Sequence, residues 1–193
     1  MVRIKACGMT NLDDCLKAEE LGIDYIGFVF YRQSKRFVLP QDARKMREAV
    51  GPSIKAIGVF VEESDDEMRR IVDYCNLDYA QVYRESSLVN AIRAFRVAHV
   101  LPSCIPGEGL LLFDSFTDAI GGSGVAFPLN LVAGQPFVDR AFIAGGINEQ
   151  NVADVLRLRP FGVDLVSSLE AYPGKKDHAK IERFVKTVRS FDP

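Results

Sequence analysis

Nothing in this chain of 193 residues favours a polyanionic partner. It has 24 Lys and Arg against 26 Asp and Glu, a net charge of −2, and so lacks the basic footprint of nucleic-acid binding. Long apolar runs are missing too. None approaches the ~20 residues that a bilayer crossing requires, and residues 1–9 (MVRIKACGM) are too short and too charged for a secretory leader. Neither nucleic acid nor membrane is an expected partner. The four cysteines (Cys7, Cys15, Cys75, Cys104) include no CxxC pair, which leaves a structural zinc or thioredoxin-like reading without support. No Pro- or Gly-rich linker divides the chain and no composition shift marks a second unit. These absences point to a soluble, cytoplasmic protein folding as one domain over residues 1–193, with no metal.

What is present is a repeating apolar strand, polar turn and amphipathic helix. Residues 2–7 alternate, with Val2, Ile4 and Ala6 on one side and Arg3, Lys5 and Cys7 on the other. Thr10, with Asp13 three residues on, predicts a capped helix to about Leu21. The near-continuous apolar run 24–30 predicts a strand buried on both faces. Pro40 opens a helix to about Ala49, strand three is 54–61, and Ser64 with Glu67 forms a capping box. Further strands are expected at 78–82, 91–98, 110–114, 141–144 and 162–166, with helices from about Asn148 and over about 177–191. Alternating strands and helices imply parallel pairing through right-handed crossovers. Eight such units imply a closed (β/α)8 TIM barrel, with little room for helices at 83–90 and 128–139.

In such a barrel the chemistry sits at the C-terminal ends of the strands. Cys7 ends strand one, next to Gly8 and on the same face as Arg3 and Lys5, whose charges would lower a thiol pKa. The competing role is a small core cysteine. Asp114 ends the apolar strand Leu110–Phe113, where partial desolvation suits a carboxyl to donate a proton; the competing role is a loop cap. With only two histidines, neither prominent at a strand end, Cys7 and Asp114 are the best available acid–base pair. Glycines at 121, 122 and 124, then Gly145-Gly146 and Ser167-Ser168, follow strands six, seven and eight, where backbone N–H groups often hold phosphate. Arg36 offers a fork for a carboxylate or phosphate, or is a solvated surface side chain. A small phosphorylated molecule is the expected ligand.

The ordered motifs KACGMTN (5–11), GFVFYRQSKRFV (27–38), IGVFV (57–61), FDSFTDAIGGSGVAF (113–127), AGGINEQNV (144–152) and EAYPGKKDH (170–178) span the chain and together resemble phosphoribosylanthranilate isomerase. The resemblance implies a cofactor-free Amadori rearrangement in tryptophan biosynthesis. Cys7 would be the base and Asp114 the acid, with Arg36 holding the anthranilate carboxylate. Gly122, Gly145, Gly146, Ser167 and Ser168 would bind substrate, chiefly its phosphate. Departures are plain. Where the family usually reads QLHG, this chain has Gln81-Val82-Tyr83-Arg84, so that loop would meet substrate differently or not at all. VDLVSS also slides the serine pair by one position. Two other readings stay open: a non-catalytic phosphosugar-binding relative, and a dual-substrate aminoaldose isomerase, which Cys7 argues against. The helix faces do not choose between monomer and homodimer.

Overall fold

The computed structural model describes residues 1–115 and 127–191. Eight parallel strands close into a barrel in chain order: β1 (Arg3–Cys7), β2 (Tyr25–Val29), β3 (Lys55–Phe60), β4 (Tyr79–Val82), β5 (Ala91–Val97), β6 (Leu111–Ser115), β7 (Ala141–Ile143) and β8 (Gly162–Leu165). The (β/α)8 expectation holds. Closure is made by β8 against β1, where Lys5 is the register partner of Asp164 and Ala6 of Leu165. Helices α1 (Leu12–Glu20), α2 (Pro40–Ala49), α3 (Asp65–Cys75), α4 (Val152–Arg157) and α5 (His178–Phe191) follow β1, β2, β3, β7 and β8. A short hairpin of β9 (Glu170–Tyr172) and β10 (Lys175–Lys176) lies between β8 and α5.

The pleat sorts the apolar residues into two layers. One face of each strand packs outward beneath the helices, where Ile4, Ala6, Ile26, Phe28 and Val163 join Phe184 and Val188 of α5. The other face fills the barrel with Tyr25, Ile57, Ile92, Leu112 and Phe142. Tyr25 meets Phe142 edge to face at 5.2 Å, a favoured aromatic geometry. Below them Arg3 sits at the rim rather than inside, its side chain half exposed and paired with Asp24. The alternation was right about its face, but the strand's first residue lies too near the end to be enclosed.

The helix starts show what capping can and cannot reveal. Ser64 and Glu67 form the expected capping box at α3. At α1 the cap is Asn11 instead of Thr10: Asn11 Oδ1 accepts the N–H of Asp14 at 3.1 Å, while the Thr10 hydroxyl donates to the carbonyl of Gly174 in the hairpin. The helix expected from Asn148 begins at Val152, because the Asn148 side chain accepts from the N–H groups of Gln150 and Asn151 and folds that stretch as a turn. No helix forms in 83–90, and 129–140 holds only two single 3-10 turns. Residues 98–110 also lack a helix, an absence the sequence reading did not single out. Pro102, Pro106, Gly107 and Gly109 make that segment a poor helix former.

Asp14 ties α1 to the hairpin. Its buried carboxylate accepts from Lys175 Nζ at 2.6 Å, the Lys176 N–H at 2.8 Å and Asn11 Nδ2 at 2.7 Å. Burial opposes the charge, but these donors hold its pKa below the usual carboxylate value. The stability this contributes is complete above the unfolded pKa of about 4 and is lost as pH falls through the folded value. Asp14→Asn should therefore lower unfolding free energy at pH 7 by on the order of 2 kcal/mol. In urea titrations the difference from wild type should shrink toward pH 2; a pH-independent difference would assign the loss to packing instead.

Candidate active site

The C-terminal ends of the strands surround a cavity of about 470 Å³. Its wall brings together most of the residues expected from the sequence: Cys7 of β1, Arg36 after β2, Asp114 of β6, Gly145 and Gly146 after β7, and Ser167 and Ser168 after β8. Gly122 lies outside the described residues.

Cys7 is buried, and β2 makes room for it. A Cβ on Gly27 would stand 2.6 Å from Cys7 Sγ, so only glycine fits opposite the thiol. The expectation of a lowered thiol pKa is overturned in the unliganded protein. Burial raises it, and the nearby Lys5 and Lys176 charges offset only part of that rise. Lys5 is completely buried, with Nζ donating to Asp164 Oδ2 at 2.9 Å and to Gln81 Oε1 at 2.8 Å. Although burial opposes its charge, Asp164 keeps the ammonium protonated with a pKa above its ordinary value.

Across the cavity, Asp114 has its pKa pushed up to about 6 by burial and by the charge of Asp164, against the opposing pull of Arg96 and Lys5. A carboxyl with that value holds a proton near neutrality far more readily than one in water. Arg96 is the register partner of Asp114 on β5, and its guanidinium lies 5.0 Å over the Tyr83 ring. Tyr83 lines the cavity, so the segment where the chain departs from the family pattern forms part of the site wall.

Arg36 is neither a surface side chain nor a free fork. Its Nε and Nη2 donate to both oxygens of Glu170 at 2.8 and 2.6 Å, which fixes the guanidinium plane and leaves Nη1 for a ligand. Glu170 also lies 3.4 Å from Lys176 Nζ, whose main bond is to the Cys7 carbonyl at 2.6 Å. Burial pushes the Lys176 ammonium below its usual range, with Glu170 opposing that shift.

After β7, Gly145 and Gly146 both have positive φ, 90° and 60°. A Cβ on Gly145 would approach the Ser115 backbone nitrogen to 2.7 Å, so glycine is required on both counts. Ser167 and Ser168 lie in a single 3-10 turn, and Lys180 and Arg183 of α5 line the same cavity, Arg183 paired with Glu149 at 3.1 Å. Backbone N–H groups, hydroxyls and two cations suit a phosphate.

The sequence reading missed Asp164, Arg96, Glu170, Lys180 and Arg183 as site residues. Asp164 had the same signal that revealed Asp114, a lone carboxylate in an apolar strand. Arg96 becomes visible only through the register that sets it beside Asp114.

The chain matches the family model described as N-(5'phosphoribosyl)anthranilate (PRA) isomerase over residues 4–187. It is 36% identical to N-(5'-phosphoribosyl)anthranilate isomerase of Thermotoga maritima over 205 aligned residues, covering 98% of this chain and 99% of the relative. The crystal structure of phosphoribosyl anthranilate isomerase from the same organism superposes with a TM-score of 0.84 at 34% identity, covering 98% and 100% of the two chains. A crystal structure of phosphoribosyl anthranilate isomerase in complex with reduced 1-(o-carboxyphenylamino)-1-deoxyribulose 5-phosphate gives a TM-score of 0.79 at 32% identity, with 98% and 100% covered.

The site makes a direct prediction about its thiol. In a Cys104→Ser background, which removes the one exposed cysteine, alkylation of Cys7 should titrate above the ordinary thiol value of about 8.5. Lys5→Met should move it higher still. A midpoint below 8 in the parent would show that the lysines outweigh burial.

Proposed function

We infer the chemistry of this site from one premise: the chain belongs to the N-(5'-phosphoribosyl)anthranilate isomerase family. It is an isomerase of tryptophan biosynthesis that converts N-(5-phosphoribosyl)anthranilate to 1-(2-carboxyphenylamino)-1-deoxyribulose 5-phosphate. The observation that supports the residue assignments is that Cys7 and Asp114 line one cavity together with Arg36 and the glycines and serines that follow β7 and β8.

In this assignment Asp114 donates its proton to the furanose ring oxygen, the C1′–O bond breaks, and the nitrogen lone pair forms a Schiff base. Cys7, as thiolate, removes the C2′ proton, and the electron pair moves to give the enolamine. Proton transfer from the 2′ oxygen to C1′ then yields the aminoketone, with no net gain or loss of atoms. Arg36 holds the anthranilate carboxylate through Nη1, while Gly145, Gly146, Ser167 and Ser168 hold the phosphate, supported by Lys180 and Arg183. Placing the reacting groups this way accounts for rate through orientation and through acid–base groups already facing their protons.

The reacting form needs a thiolate and a protonated carboxyl, which together carry the same number of protons as a thiol and a carboxylate. kcat/KM should therefore follow a bell. Its acid limb falls away below about pH 6, set by Asp114, and its alkaline limb lies above the ordinary thiol value. Arg96→Met removes a charge that lowers the Asp114 pKa, so the acid limb should move upward. A limb that stays in place would detach it from Asp114.

Turnover is read as loss of the substrate's anthranilate fluorescence. Cys7→Ser and Asp114→Asn should each lower kcat by about 10²–10⁴ with KM little changed, because each removes a role made in the transition state. Wild-type protein that binds the reduced product without consuming substrate would instead establish a non-catalytic phosphosugar binder.

A further inference from the structure

Three side chains from three strands, and Tyr83 just after β4, form one directed chain of hydrogen bonds at the cavity. Lys5 of β1 has donors only, so the Gln81 amide must present Oε1 to it, at 2.8 Å. That orientation leaves Gln81 Nε2 to donate to the Tyr83 hydroxyl oxygen at 3.1 Å. Having accepted that bond, the Tyr83 hydroxyl has its own hydrogen to give elsewhere. Burial keeps the phenol protonated well above neutral pH. At the other end Lys5 donates to Asp164 Oδ2 at 2.9 Å. The second oxygen, Asp164 Oδ1, is buried and has no hydrogen-bond partner among the described residues. Such an atom is costly to leave unpaired, and in native proteins it calls for a functional explanation. Gln81, Tyr83 and Asp164 all line the cavity, in the wall shared with Cys7 and Asp114. The network thus has one hydrogen to give, at Tyr83, and one acceptor without a partner among the described residues, Asp164 Oδ1, both on residues that line the cavity.

We propose that these two ends grip the sugar of the substrate, Asp164 Oδ1 accepting from its 3′-hydroxyl and Tyr83 donating to its 2′ oxygen. The inference rests on the isomerase reading given above. The remaining sugar oxygens already have partners in that reading: the ring oxygen faces Asp114, and the 5′ oxygen carries the phosphate. The 2′ oxygen bears the carbonyl in the product and is served by a donor, which leaves the 3′-hydroxyl as the hydrogen to be accepted. The Tyr83 ring, covered by Arg96 at 5.0 Å, is held where its hydroxyl can do this. Tyr83 and Asp164 therefore act as positioning residues, and Lys5 and Gln81 fix their hydrogen-bond polarity.

The test compares binding of reduced 1-(2-carboxyphenylamino)-1-deoxyribulose 5-phosphate and its 3-deoxy counterpart by titration calorimetry, beside a turnover assay of the wild type. Wild-type protein should prefer the 3-hydroxy compound by about 10-fold or more, the usual range for a hydrogen bond to a charged group. Asp164→Asn should cut that preference to roughly 5-fold or less, because a neutral amide replaces the carboxylate opposite the 3-hydroxyl. Tyr83→Phe, which removes only the hydroxyl, should weaken both compounds by roughly 5-fold, near a neutral hydrogen bond, while keeping the preference between them. Its KM for substrate should rise in step. Should Asp164→Asn not fold, the wild-type preference and Tyr83→Phe still decide. No wild-type preference, or unchanged affinities in Tyr83→Phe, would overturn the proposal. Absent turnover with intact binding would overturn the isomerase reading alone, since the binding comparison does not depend on catalysis.

Discussion

The buried pair of Lys5 and Asp164 is the constraint on which the rest of the site depends. The two residues are register partners where β8 closes the barrel onto β1, with Nζ and Oδ2 at 2.9 Å and almost no solvent at either side chain. Removing either partner would strand a charge in a medium that cannot solvate it, a far larger penalty than the net worth of the pair. Its main consequence is electrostatic. The Lys5 charge opposes the rise that burial imposes on Cys7, and the Asp164 charge adds to the rise on Asp114. Lys5 outweighs Asp164 at the thiol, and Asp164 outweighs Lys5 at the carboxyl, so the pair works toward the forms the proposed chemistry uses, although burial still leaves the thiol above its ordinary value.

A second buried cluster does comparable work at the rim. Arg36, Glu170 and Lys176 join the loop after β2 to the hairpin that follows β8, and Asp14 anchors the same hairpin to α1 from the outside. Glu170 holds the Arg36 fork in one plane, so that an incoming carboxylate meets an oriented donor instead of a mobile one. Pre-organisation of this kind reduces the ordering cost of binding. It also explains why the hairpin persists although β9 and β10 together contain only a few residues.

The barrel is trimmed in a consistent way. Connections after β4 and β5 carry no helix among the described residues, whereas those after β1, β2, β3, β7 and β8 do. The interior and the strand ends remain complete, because barrel closure rests on strand pairing and on the packed inner layer, not on a full outer ring. The altered segment after β4 is part of this economy. Without a helix to feed, Tyr83 remains at the cavity and occupies its wall under Arg96.

Period and punctuation were enough to reveal the eight strands and the inward face of β1, because burial on one side of a pleat imposes a two-residue pattern that no other element produces. Cys7 and Asp114 were legible for the same reason: a reactive or charged side chain at the end of an apolar strand conflicts with its surroundings. Asp164 offered that conflict too, yet its meaning depends on Lys5, which lies 159 positions away in the chain. The choice of Asn11 over Thr10 as a cap was likewise out of reach, since Thr10 is claimed by Gly174 from the far end of the chain. By itself the sequence determined the barrel through local pattern and the family through motifs spread along the chain, and it picked out Cys7 and Asp114 as candidates for proton transfer. Only the tertiary structure decided the charge environment of those residues, the partner of Arg36 and the polarity of the hydrogen-bond chain at Tyr83. Electrostatics and hydrogen bonding depend on distances between strands, and those distances exist only once the barrel is closed.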